Sequence, residues 1–279
     1  MEIAVTAASG QLGSAIVRQL KAMVGAEKIL ALARTPENAA KLGVPVLKAD
    51  YDQKEDFLAA LPGTRVLLIV SGMDQPDKRI RQHRNIIKAA KESGVQKIVY
   101  TSIAGAEGSS SFDPIVQSNR QTEEDIRESG LQWSIGRNGI YIEPDVAYIE
   151  HYKKDGKIAN CAGTGLCSYT TRYELAFAYS QMILKDDRNG KIFNLTGEAI
   201  SQDQLCQYLN QSFGTNLYFE DMSPADYLNL QLKNNGEFLG PIIAGIYAKI
   251  RQGEFEMKSD YMQAAGRPHI SWEAYFASL

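Results

Sequence analysis

The sequence predicts an α/β protein built on a doubly wound parallel sheet (a Rossmann fold), and three observations carry that prediction. The chain opens on a short apolar strand that runs straight into a glycine-bearing turn and a helix, Glu2-Ile3-Ala4-Val5-Thr6-Ala7-Ala8-Ser9-Gly10-Gln11-Leu12-Gly13. Apolar runs at 29–33, 46–49, 66–70, 97–101 and 133–137 then alternate with segments of helical pattern. These runs look like buried parallel strands.

The opening turn is a dinucleotide cradle. Its backbone N–H groups and the open N-terminus of the following helix converge on one spot, where a diphosphate binds without a cationic side chain. The spacing is G-x-x-G-x-x-G with Ala7 in the first place and Gly10 and Gly13 in the others. Glycine lets the backbone approach closely, and Ala7 is expected at negative φ, where alanine is tolerated. Thr6, Ser9, Gln11 and Leu12 belong to the same cradle.

Ligands of such sheets bind outside the carboxyl ends of the strands, so the residues after each strand are the ones to read. Arg34 closes the second strand, and residues 30–35 hold no Asp or Glu. An acidic residue there selects NAD through the ribose 2′-hydroxyl, whereas an arginine clasps a 2′-phosphate, so NADP(H) is expected over NAD(H). Asp50 and Tyr51 follow the third strand; Asp50 reads either as a partner of the adenine amino group or, with Asp52, as a helix N-cap. Ser71, Gly72 and Met73 follow the fourth strand, Ser102 the fifth, and residues 138–141 the sixth. Thr35-Pro36-Glu37 and the Asp52/Glu55 pair read as helix starts, and Gly94 as the end of a helix beginning near Lys78.

Past Asp145 the alternation loosens. Helices are expected at 174–184, 202–213, 224–232 and 239–252, with strands near 192–195 and 217–219. Ser201-x-x-Gln204 is a capping box, and Ser223-Pro224 starts another helix. The division expected is a dinucleotide-binding unit at 1–144, with 145–279 returning partly to the sheet and building a small substrate-side lobe over its carboxyl edge.

Composition narrows the class. Thirty Lys and Arg against 33 Asp and Glu give a net charge of −3, with the positive residues scattered, which argues against nucleic acid as a partner. No apolar run reaches membrane-spanning length and no charged-then-apolar leader opens the chain, so no membrane partner and a cytoplasmic location are expected. Cys161, Cys167 and Cys206 lack metal-ligand spacing and read as buried free thiols. His83, His151 and His269 are too scattered for a zinc site or a Ser-His-Asp hydrolase, and no metal is expected. Self-association is left open between monomer and homodimer.

Taken together, residues 5–13, Ala49-Asp50-Tyr51-Asp52, Leu67-Leu68-Ile69-Val70-Ser71-Gly72, Gln82-His83-Arg84-Asn85, Ile98-Val99-Tyr100-Thr101-Ser102 and Arg137-Asn138-Gly139 resemble the NmrA-like branch of the atypical short-chain dehydrogenases/reductases. Within it the chain is most similar to the quinone-reducing and triphenylmethane-reducing members. The similarity continues through Gly163-Thr164-Gly165, 171–176 and Asn194-Leu195, and is loose only over the last forty residues. It implies an NAD(P)H-dependent oxidoreductase, though the family also contains redox sensors that bind the cofactor without turnover.

One departure bears on chemistry. The usual short-chain dehydrogenase acid, a tyrosine four residues before a lysine, does not occur on the helix after the fifth strand. Relatives often carry a lysine or histidine twelve residues before the sixth strand, and here that position is Asn119. Asparagine orients a ribose by hydrogen bonding but is no general acid at neutral pH. A quinone needs none, because it accepts hydride as a stabilised anion and takes its proton from water, leaving the protein to supply proximity and orientation. Hydride transfer from NADPH to a quinone-like or other planar electrophile is therefore the leading expectation. A sensor without turnover is the alternative, and a nucleotide-sugar epimerase-like reaction suffers from the missing base. Met73, Tyr141 and the 105–113 loop are candidates for the wall of an apolar substrate slot.

Overall fold

The computed structural model describes residues 2–105 and 112–279. The first half is strand, helix, strand: β1 (Ile3–Val5), α1 (Gln11–Val24), β2 (Ile29–Ala33), β3 (Val46–Lys48), α2 (Lys54–Ala60), β4 (Val66–Val70), α3 (Pro76–Glu92), β5 (Lys97–Ile103), α4 (Asp113–Arg127) and β6 (Gln132–Asn138). There follow β7 (Ile140–Tyr141), α5 (Glu143–Ala147), α6 (Ile149–Asp155), β8 (Lys157–Asn160), β9 (Cys167–Thr170), α7 (Arg172–Leu184), β10 (Lys191–Leu195) and β11 (Ala199–Ile200). The chain closes with α8 (Gln202–Phe213), β12 (Tyr218–Asp221), α9 (Pro224–Arg251), α10 (Tyr261–Ala265) and α11 (Trp272–Ala277).

Seven strands form one sheet in the order β10-β6-β5-β4-β1-β2-β3. Every pairing in it is parallel, with Val5 opposite Ala31 on one side and Leu68 on the other. The order reverses between β1 and β4, so the loops leaving those two strands diverge and open a crevice at the carboxyl edge. Both faces are covered, which is why the central strands β1, β2 and β4 are wholly apolar. Leu12, Ile16, Val17 and Leu20 of α1 and Leu175, Tyr179 and Met182 of α7 pack on one face; Phe57 of α2, Ile86 and Ala90 of α3 and Ile126 of α4 pack on the other.

In the C-terminal part, β10 returns to the edge of the large sheet beside β6, and α7 lies against α1. The rest builds a lobe around Tyr169, Leu205, Ile250, Phe255 and Trp272, with β11-β9-β7 and β12-β8 as small sheets. The capping box at Ser201 and Gln204 is formed, and the Ser223 side chain caps α9.

Several local expectations differ. Thr35-Pro36 does start a helical segment, but it is 3-10 over 36–42 and the Thr35 side chain makes no capping bond; Asp52 caps nothing, because α2 begins after Gln53, and the Asp50 carboxylate accepts the Asp52 N–H at 3.0 Å. The two helices expected at 224–232 and 239–252 are the arms of α9, which breaks at Gly236, where φ is 73°. Two-residue strands such as β7 and β11, and β8 and β9 between turns, lack enough sequence to show a period. Among the described residues no helix is long and apolar enough to cross a membrane, no His/Cys/Asp/Glu cluster could hold a metal, and all three cysteines are free and buried.

Candidate functional site

The turn after β1 is set by a steric conflict. The Gly10 N–H donates to the Ala7 carbonyl at 2.9 Å, folding the chain back so that α1 starts beneath its own approach. A Cβ on Gly13 would lie 2.4 Å from that carbonyl oxygen, so this position requires glycine. The same turn corrects the expectation for Ala7: its φ is +47°, inside the left-handed region. Gly10 caps α1 with no side-chain hydrogen bond, and the first turn of α1 holds no acidic residue. The N–H groups at the helix start therefore remain open, and the helix dipole favours an anion there.

These N–H groups face a cavity of about 480 Å³ that occupies the crevice between β1 and β4. Its wall brings together Ala7, Gly10, Gln11, Leu12, Gly13, Ser71, Gly72, Met73, Ser102, Asn119 and Tyr141 of the expected site. Thr6, Ser9, Arg34, Asp50 and Tyr51 are not on it.

Thr6 and Tyr51 are behind the wall and hold it. Thr6 Oγ1 donates to the Tyr51 hydroxyl at 2.5 Å and accepts the Val70 N–H at 2.9 Å, while Tyr51 donates to the Val70 carbonyl at 2.7 Å. Both are spent as a staple joining β1, β4 and the loop after β3, a use their sequence positions do not reveal. Ser9 is exposed. Arg34 is exposed at the end of β2 and, among the described residues, makes no hydrogen bond or ion pair; its charge reaches Asp74, whose carboxyl is held below the usual range by Gln82 first and then Lys78. Asp50, two residues past β3, is half-buried.

Asn119 is 2% exposed and fixed on all sides. Its Oδ1 accepts from the Tyr100 hydroxyl at 2.7 Å and from Ser71 Oγ at 3.2 Å, and its Nδ2 donates to the Ile115 carbonyl at 2.8 Å. Burial pushes the Tyr100 phenol up to about 12, so it stays protonated and donates to Asn119. The Ser102 hydroxyl is committed to Glu123 at 2.6 Å, within an Arg120–Glu123–Arg137 cluster that ties β5, α4 and β6 together. Tyr141 accepts from Asn138 Nδ2 at 3.1 Å, and the Arg172 guanidinium lies 4.9 Å over its ring.

The remaining wall is apolar and comes largely from elements that the sequence did not connect to the site. Phe112 and Ile115 lead into and begin α4, and Phe238, Leu239, Ile242 and Ile246 form a stripe on the second arm of α9. Met73, Phe238 and Leu239 are exposed, Met73 at 80%. Residues 106–111 of the 105–113 loop lie outside the described residues.

Arg79 was also missed. It lines the cavity yet is 3% exposed. Its Nη1 donates to the Gly72 carbonyl at 3.1 Å, and its Nη2 to the Ile115 carbonyl at 2.9 Å and to Ser118. Behind it, the fully buried His83 accepts the Gly72 N–H at Nε2, so its proton sits on Nδ1, facing Thr122. Burial and the Arg79 charge push this imidazole down to about 3. No described wall group therefore titrates near neutrality: burial raises Tyr141, Asp74 stays ionised, Arg79 stays protonated, and Asn119 does not ionise.

Comparisons agree with this geometry. Residues 7–162 match the model of a family described as NAD(P)H-binding. The chain is 33% identical to quinone oxidoreductase 2 of Escherichia coli over 81% of this chain and 79% of that protein. Its fold is similar to that of the Citrobacter sp. triphenylmethane reductase complexed with NADP(H), with a TM-score of 0.90, 30% identity and 100% and 99% of the two chains covered. The NADPH-dependent quinone oxidoreductase of Escherichia coli complexed with NADPH is similar to the same degree, with a TM-score of 0.90, 29% identity and 99% of each chain covered.

Proposed function

Because the chain belongs to the NAD(P)H-binding family, we propose that it is an NADPH-dependent reductase of quinone-like, planar aromatic acceptors. One observation carries the reading: a single cavity joins an uncapped helix N-terminus to a mostly apolar slot whose described wall offers no acid working near neutral pH.

The residues fit the cofactor. The open N–H groups of Gln11, Leu12 and Gly13 suit its diphosphate, and the glycine at 13 lets α1 start tight against the Ala7 turn that presents them. The unpaired Arg34 suits a 2′-phosphate and underlies the preference for NADPH, and Asp50 suits the adenine. Ser71, Gly72 and Asn119 take the ribose side, and Met73 and Tyr141 flank the acceptor. Thr6 and Tyr51 act from behind by fixing the β1 and β4 ends. We take residues 1–144 as the dinucleotide-binding unit and 145–279 as the segment that completes the sheet and supplies the acceptor lobe.

Bound NADPH supplies a hydride. The protein's part is to hold the acceptor flat against it, keep water away from the contact through the α9 stripe, and leave the proton to solvent. The resemblance to the quinone and dye reductases supports this choice of acceptor. The test is NADPH consumption with a panel of quinones, dyes and aldehydes. Turnover with quinones well above the uncatalysed rate is expected; tight NADPH binding with no turnover on any acceptor would instead make the protein a cofactor sensor.

A further inference from the structure

The charge ledger of the cavity does not close. Its described wall carries two ionic side chains, Asp74 and Arg79. Asp74 is at the rim, 40% exposed, and is paired with Lys78 and hydrogen-bonded by Gln82. Arg79 has no carboxylate partner among the described residues, and its Nε is buried with no hydrogen-bond acceptor. Its bonds to Gly72, Ile115 and Ser118 are to neutral groups, so its position is fixed and its charge is not cancelled. A buried guanidinium without a counter-ion favours whatever brings negative charge into its field and opposes a second cation.

We propose that Arg79 makes this cavity a site for flat aromatic molecules that carry or acquire negative charge on oxygen, and that it excludes cationic ones. The proposal deepens the reductase reading and rests on it for the identity of the cavity. A neutral quinone that receives a hydride, two electrons and one proton, becomes a hydroquinone monoanion; the nicotinamide is left oxidised, and water supplies the second proton. The negative charge appears on the acceptor oxygen before that proton arrives, and Arg79 is the one uncancelled positive group in the described wall. This is the stabilisation that a wall without a neutral-pH acid otherwise lacks. It also separates acceptors that are planar alike: quinones and aromatic sulfonates or carboxylates are taken, and cationic triarylmethane dyes are refused.

Equilibrium binding tests this without turnover. Naphthalene-2-sulfonate, the neutral naphthalene-2-sulfonamide and the cationic trimethyl(2-naphthyl)ammonium are titrated calorimetrically into the NADP⁺-loaded protein. The sulfonate is expected to bind at least tenfold tighter than the sulfonamide, with the ammonium weakest. Arg79→Gln should bring sulfonate and sulfonamide within about twofold, and Arg79→Lys should keep part of the difference. If Arg79→Gln does not fold by circular dichroism, the wild-type order and Arg79→Lys decide. Equal binding of sulfonate and sulfonamide by the wild type overturns the proposal. So does an Arg79→Gln variant that keeps the sulfonate preference but loses NADP⁺ affinity, which would assign the charge to the cofactor. Charge-selective binding in a protein that never consumes NADPH would remove the reductase reading and leave this one standing; quinone turnover with no charge preference would do the reverse.

Discussion

Ala7 gives a prediction whose sign depends on one dihedral angle. At φ +47° its Cβ crowds the backbone in a way that a glycine avoids, and the cost for an L-residue in this region is about 1–2 kcal/mol. Replacing it by glycine removes that cost but gives the unfolded chain more freedom, which takes back about 0.4–1 kcal/mol. The net expectation for Ala7→Gly is a gain near 1 kcal/mol. For 279 residues the unfolding entropy is about 0.6 kcal/mol/K, so the melting temperature should rise by about 2 °C. Ala7→Val should fall below wild type, since a β-branched side chain tolerates positive φ worst. Gly13→Ala should cost more than either, about 2 kcal/mol or beyond, because its new methyl meets the Ala7 carbonyl at 2.4 Å. Urea unfolding of the cofactor-free protein, followed by far-UV circular dichroism, gives the order. Stability running Gly13→Ala < Ala7→Val < wild type < Ala7→Gly bears out the geometry. The opposite order at position 7, valine above alanine above glycine, is that of extended backbone and would refute the left-handed turn.

Three further outcomes are expected. Arg34→Ala should erase an NADPH preference over NADH worth about 1–3 kcal/mol in calorimetric titration, the scale of charge-assisted hydrogen bonds; an unchanged ratio would remove Arg34 from the cofactor site. Asn119→Ala should leave quinone turnover within about tenfold of wild type while costing stability, because Tyr100 loses its buried acceptor; kcat/KM between pH 7 and 9 should be flat, and a loss of a thousandfold or a steep ionisation limb would point to an acid–base role in this cluster. Burial pushes the Asp145 carboxyl up to about 6, so the folded state holds this proton more tightly than the unfolded chain. The stability this provides is present in full below about pH 4 and is lost as pH rises through 6, a difference of about 3 kcal/mol. Asp145→Asn, which can still accept from Tyr152, should abolish that slope in unfolding measurements between pH 4 and 7; an unchanged slope would refute it.

The sheet was legible because its strands are buried on both faces: β2 and β4 were placed to the residue, and β5 and β6 were each short by two residues. The site was legible where backbone sets it. Gly10, Gly13, Ser71 and Gly72 follow from the rule that ligands sit at strand ends, and all line the cavity. It was not legible where a side chain's partners decide its role. Thr6 and Tyr51 stand in the expected positions but point their hydroxyls at each other and at Val70. Arg79, on a helix rich in charge, reads as a solvated residue until the fold buries it against Gly72 and Ile115. The α9 wall was hidden for a different reason: that residue 73 and residues 238–246 line one cavity depends on where the lobe packs on the sheet, which no local period records.

The break in α9 sits at one end of the arm that lines the cavity, and a buried ion pair sits at the other. Lys249, 1% exposed, lies 2.7 Å from Asp113 and 2.5 Å from Glu254, which ties the far end of that arm to the start of α4. Between Phe238 and Lys249 the helix measures roughly 16 Å at 1.5 Å per residue. A tilt of about 10° about the pinned Lys249 end would carry the Phe238 backbone by about 3 Å, close to the thickness of one aromatic ring, and leave the residues near the pivot in place. Acceptors should then be sorted strictly by how far they reach inward, toward Ile246, and loosely by how thick they are at the rim, where Phe238 and Leu239 stand.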